Sequence, residues 1–68
     1  MWNYRIVKYI DEDEELFELR EVYYDQLGKP MGHCSSKLIG DTAEELQSVL
    51  DMMSEGCSRP IFNAKDFE

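Results

Sequence analysis

Apolar and polar residues alternate along "WNYRIVKYI" (Trp2 to Ile10). Trp2, Tyr4, Ile6 and Ile10 share one face, broken by Lys8, while Asn3 and Arg5 lie on the other. A period of two, with aromatic and β-branched residues and no Gly or Pro, predicts a strand. Val7 and Tyr9 make its second face partly apolar as well. "LFELREVYY" (Leu16 to Tyr24) predicts a second strand, with Phe17, Leu19 and Tyr23 on one face and Leu16, Val22 and Tyr24 on the other beside Glu18 and Arg20. Glu21 interrupts the first of these faces, and a bulge near it is expected. Between the strands stand five consecutive carboxylates, Asp11, Glu12, Asp13, Glu14 and Glu15. Mutual repulsion keeps such a run solvated, so it reads as the loop of a first hairpin.

"DQLGK" (Asp25 to Lys29) predicts a tight turn: Asp suits the first position of a type I turn, and Gly28 supplies the positive φ that closes it with a bulge. Pro30 has no amide hydrogen, so a weaker third strand, "MGHCSSKLI" (Met31 to Ile39), starts there or runs along the sheet edge. In "GDTAEELQSVLDMMSEG" the period changes. Leu46, Val49, Leu50 and Met53 fall at i, i+3, i+4 and i+7, one stripe of a helix. Asp41 with Glu44, or Thr42 with Glu45, forms a capping box at its start, and Gly56 is the expected residue just past its end. The tail, residues 58–68, has Ile61, Phe62 and Phe67 as anchors. It is expected to run back over the sheet or add a short fourth strand.

The predicted fold class is therefore α+β: one domain over residues 1–68, a three-stranded antiparallel sheet packed by one amphipathic helix (β-β-β-α), with an extended C-terminal tail. Trp2, Tyr4, Ile6, Phe17, Leu19, Leu46, Val49, Leu50 and Met53 form the expected core. That core is thin, because 68 residues lie near the lower limit for a chain that folds without staples. The other sheet face keeps Val7, Tyr9, Val22 and Tyr24. Together with Asp11, Glu12, Asp13, Glu14 and Glu15 it is the candidate interaction surface, for a protein partner or for a second copy.

Charge narrows the choice of partner. Fifteen carboxylates against seven Lys and Arg leave a net charge of −8. This disfavours nucleic acid and anionic lipid, which need cationic neutralisation, and permits docking onto a basic partner. Arg5 and Lys8 among the aromatics of the first strand are too few to overturn that balance. No apolar run approaches the roughly 20 residues of a membrane span. "MWNYRIVK" has no basic stretch followed by an apolar one, so Met1 reads as the native start with no secretion signal. Two cysteines are not the framework of a secreted miniprotein, which makes the cytoplasm the expected compartment.

Candidate chemistry is sparse. His33, Cys34 and Cys57 are three soft ligands where a structural zinc site wants four, and neighbours on a strand point to opposite faces. The same alternation separates Cys34 from His33 as nucleophile and base. The expectation for this pair is a plain strand, its cysteine facing in and its histidine facing out. The carboxylate run lacks the alternate spacing and the Gly of a calcium loop. Gly28, Gly32, Gly40 and Gly56 form no phosphate cradle. No metal, no cofactor and no catalytic residue is expected, and the chain does not read as an enzyme.

"WNYR" at the start, the "YYD…GKP" hairpin and "GDTAEEL" together resemble a group of small acidic bacterial proteins to which no activity is attached. More remotely, "YRIVKYIDEDEELFEL" and "GDTAEEL" resemble HicB-type antitoxins. That resemblance implies a β-β-β-α half of a ribonuclease-H-like fold that neutralises a small RNA-binding toxin. The expected function is a non-enzymatic protein–protein interaction module or dimer. The alternative is an inhibitor, antitoxin-like or imitating nucleic acid charge, acting on a basic partner.

Overall fold

The computed structural model describes residues 1–67. Strands β1 (Trp2–Asp11) and β2 (Glu14–Tyr24) form a long antiparallel hairpin in unbroken register, from Trp2 opposite Tyr23 to Asp11 opposite Glu14. Only Glu12 and Asp13 remain as loop, both with positive φ, 49° and 70°. That is the backbone signature of a type I′ turn, whose twist matches that of the strands it joins. The carboxylate run is thus mostly strand rather than loop. Asp11 and Glu14 stand opposite each other on one sheet face, and Glu15 takes the other.

At the second turn Asp25 does the closing. Its Oδ1 accepts from the backbone N–H groups of Leu27 and Lys29, at 2.8 and 2.9 Å. Gly28 takes φ 82° and donates to the Asp25 carbonyl. β3 (Pro30–Ser35) then pairs antiparallel with β2 at the outside of the sheet. The expected bulge near Glu21 is not there. The irregularity lies between Tyr23 and Tyr24, opposite Gly32 and Pro30, where Met31 is the extra residue. β3 also ends sooner than its sequence suggests. After Ser35 the chain leaves the sheet, and the Ser36 hydroxyl, not its backbone, donates to the Leu19 carbonyl at 2.6 Å.

Helix α1 (Ala43–Cys57) starts at Thr42, which settles the capping register. Thr42 Oγ1 accepts from the Glu45 N–H, and Glu45 Oε2 reaches back to the Asp41 N–H. Gly56 is not the residue past the helix but lies inside it, and Ser58 is the C-cap. The glycine has a packing reason. A Cβ there would lie 2.3 Å from the Tyr4 carbonyl oxygen and 2.7 Å from the Tyr4 Cβ. The helix therefore rests on the face of β1 that carries Trp2, Tyr4 and Ile6, as the alternation predicts. The tail adds β4 (Phe62–Asn63), parallel to β1, followed by a 3-10 helix at Ala64–Phe67. The result is an α+β fold with one α-helix and a four-stranded mixed sheet in the order β3-β2-β1-β4.

The molecule is a slab of 38 × 32 × 19 Å, thin because one helix covers one sheet. Its radius of gyration is 12.9 Å, where a compact chain of this length would have about 11 Å. The large apolar side chains buried in it are Tyr4, Val7, Val22 and Met53. Four of the nine expected core residues are thus displaced. Ile6, Leu19 and Val49 are half-buried, whereas Trp2, Phe17, Leu46 and Leu50 are exposed. Val7 and Val22, expected on an open surface, have 0% exposure, because the tail covers their face. Among the described residues no helix is long and apolar enough to cross a membrane.

Candidate functional site

The face of the sheet opposite α1 carries Arg5, Val7 and Tyr9 from β1, Glu18, Arg20, Val22 and Tyr24 from β2, and His33 and Ser35 from β3. Arg5 ties the tail to it. Its guanidinium lies 4.1 Å over the Phe62 ring, donates through Nε and Nη2 to the Pro60 carbonyl, and through Nη1 reaches the Tyr24 hydroxyl. Tyr24 in turn donates to Asn3 Oδ1 at 2.7 Å. Phe67 then stacks edge-on against Phe62, at 5.5 Å, and against His33, at 4.5 Å. Of the proposed surface, Val7 and Val22 are therefore core, and Tyr9 and Tyr24 are half-buried beneath the tail. Asp11, Glu12, Asp13, Glu14 and Glu15 are exposed at the far end of the hairpin.

A polar chain crosses this face. Tyr9 donates to Glu18 Oε1 at 2.6 Å, and Arg20 Nη1 donates to the same oxygen at 3.0 Å. Arg20 Nε donates to His33 Nδ1 at 2.9 Å. The Tyr9 hydrogen bond, with Arg20 behind it, lowers the Glu18 pKa, while burial and Glu18 raise that of Tyr9. Burial, then the Arg20 charge, lowers the His33 pKa. A ring that accepts through Nδ1 is neutral, with its proton on Nε2. No nucleophile joins it: Ser35 Oγ lies 3.5 Å from Arg20 Nη1, and Cys34 is on the other face. The chain of contacts fixes side chains and clamps the tail. Sequence reasoning missed it, because Arg20 meets His33 only through the β2–β3 register and Phe67 only once the tail folds back over the sheet.

On the helix-bearing face Cys34 lies opposite Glu21, exposed. The expected orientation of the pair is reversed: cysteine out, histidine half-buried. The Tyr23 hydroxyl lies 3.6 Å from the Cys34 sulfur and donates to Glu21 Oε1 at 2.8 Å, and both contacts raise its pKa. Cys57 sits at the end of α1, exposed. Among the described residues no group of three His, Cys, Asp or Glu is placed to hold a metal ion. A surface depression of about 500 Å³ is lined by Lys8, Tyr9, Ile10, Asn63, Ala64 and Lys65. It joins no nucleophile to a base.

The helix-bearing face also holds several uncovered apolar side chains. Trp2, Phe17 and Tyr23 are 41%, 56% and 38% exposed, and Leu46 and Leu50 on the flank of α1 are 39% and 45% exposed. Helix α1 lies mainly over β1 and leaves much of β2 bare. Compared with known proteins, the chain matches no family model, no curated protein and no solved structure.

Proposed function

We propose that this chain is a non-enzymatic interaction module that docks its helix-bearing face onto a basic protein partner. The reading rests on the half-exposed Trp2, Phe17, Tyr23, Leu46 and Leu50 on one side of a molecule with net charge −8. Isolated exposed apolar residues need no explanation, but a group of them on one face marks an interaction surface. The carboxylates supply the sign of the partner: they steer a basic surface inward and repel an acidic one. Crosslinking pull-down from the source cell tests this. Phe17→Glu, on an exposed position, should abolish capture of a basic protein with the fold intact by circular dichroism. Capture unaffected by Phe17→Glu and by Leu50→Glu would remove the reading.

A second reading, an inhibitor of antitoxin type, is favoured by the five exposed carboxylates gathered at one hairpin end, Asp11 to Glu15. Such an inhibitor would present that end to a cationic nucleic-acid site. It predicts that replacing these five residues with Asn and Gln, rather than changing Phe17, releases the partner.

A further inference from the structure

We infer that the open edge of β3 pairs antiparallel with β3 of a second copy, joining two sheets into one across a two-fold axis at Cys34. This rests on the interaction-module reading and names one partner of it. The Tyr24 N–H donates to the Met1 carbonyl at 2.9 Å. In an antiparallel ladder hydrogen-bonded and open pairs alternate, so Val22 and Arg20 also point their backbone groups at β1. Glu21 and Tyr23 consequently face β3 and engage Cys34 and Gly32. The N–H and C=O of His33 and Ser35, opposite Val22 and Arg20, then point away from the sheet. Among the described residues β3 is the outermost strand and no further strand pairs with its outer edge, while the tail reaches it on the sheet face through Phe67 against His33.

Exposed edges of this kind are templates for another strand, and proteins blunt them with charge, proline or bulges. Here the blunting stops at Met31. Pro30 and the bulged Met31 guard the start of the strand, but "GHCS" has no Asp, Glu, Lys or Arg of its own, and the nearby Arg20 guanidinium is engaged by His33, Ser35 and Glu18. A chain of net charge −8 could not pair β1 or β2 with itself without opposing charges; β3 can.

The register follows from the same facts. Centring the axis on Cys34 sets His33 opposite Ser35 of the second copy, so that both exchange backbone hydrogen bonds. Centring on His33 would set Ser35 opposite the bulged Met31, and centring on Gly32 would set it opposite Lys29, whose carbonyl already accepts from Asp25 within the turn. The Cys34 register also brings the start of one β3 beside the segment that follows the other. Met31 and Leu27, 65% and 88% exposed, belong to that start, and Leu38 and Ile39, 51% and 68% exposed, to that following segment. An isologous interface makes each such contact twice, which is how short edge strands gain enough apolar burial.

Sedimentation equilibrium of the whole chain should give a dimer. Diamide, which removes two protons and two electrons from a pair of opposed thiols, should link it covalently. The link should persist in Cys57→Ser and vanish in Cys34→Ser, because residues opposed across an open antiparallel pair lie within disulfide reach, Cα atoms about 4.5 Å apart. Ser35→Pro removes an outward N–H without touching the pairing to β2, and Cys34→Lys opposes two ammonium groups across the axis while facing Glu21 within each copy. Each should weaken the dimer by about tenfold or more while far-UV circular dichroism is unchanged. A monomer, or a dimer that survives both variants and gives no Cys34 link, overturns the inference. A monomer that still captures a basic protein overturns it and leaves the docking reading standing. A β3-linked dimer without any captured partner does the reverse.

Discussion

Two residues in this fold sit where their chemistry is poorly served. Asp13 has φ 70°, a left-handed conformation that crowds the Cβ of any L residue and that a type I′ turn gives preferentially to Gly at its second position. Asp13→Gly should therefore stabilise the protein, by about 1 kcal/mol, or roughly 4–8 °C in Tm for a domain of this size. Asp13→Asn is the control, since it removes the charge from the carboxylate run and keeps the Cβ. If thermal unfolding shows Asn gaining as much as Gly, repulsion and not backbone strain is the cause. His33 is the other case. Its pKa lies below the ordinary value of 6.5, since burial and Arg20 favour the neutral ring. Below pH 6.5 the unfolded chain takes up the proton before the folded one, so stability falls from there down to the folded pKa. Glu18, whose pKa is also lowered, adds a second loss below its ordinary 4.5. His33→Asn offers Arg20 an acceptor near Nδ1 but does not titrate. Urea unfolding at a series of pH values should then lose the first step and keep the second.

At the level of elements, the seating of α1 on β1 is the tightest contact. Replacing a helical Gly by Ala ordinarily stabilises by about 1 kcal/mol. At Gly56 the sign should reverse: the added Cβ would stand 2.3 Å from the Tyr4 carbonyl oxygen, which is backbone and cannot swing aside. Gly56→Ala should destabilise by about 1–3 kcal/mol, the range for overpacking, read from the denaturant midpoint. Elements with a local cause were legible in the sequence. Alternation marked β1 and β2, Asp25 and Gly28 marked the second turn, and the two capping registers, Asp41 with Glu44 or Thr42 with Glu45, marked the start of α1 to within a residue. What depended on contacts between distant segments was not legible. The type I′ turn at Glu12–Asp13 lacks the Asn-Gly signal, so the strands ran further than their apolar pattern. Gly56 looks like a helix stop unless the nearness of Tyr4 is known. The tail showed its anchors, Phe62 and Phe67, but not that they would bury Val7 and Val22 and so exchange core for surface. The candidate site suffered most from this, because a proposed surface named from one strand pattern lost its two valines to residues 40 and more positions away.

On the scale of the whole molecule, the excess of carboxylates separates the two kinds of association. Each copy carries −8, so bringing two copies together works against a long-range repulsion that salt screens. Docking onto a basic surface is driven by an attraction that the same salt screens. Self-pairing through β3 draws its specific contacts from neutral backbone groups, which salt leaves intact. Raising NaCl from about 0.05 to 0.5 M shortens the Debye length from roughly 14 to 4 Å. Across that range the dimer should tighten, whereas capture of a basic partner should weaken, chiefly through a slower association rate. Light scattering and surface-plasmon kinetics on the same protein preparation would show the two trends crossing. Both interactions strengthening together would mean that apolar contact, not charge, selects the partner, and the acidic surface would then serve solubility alone.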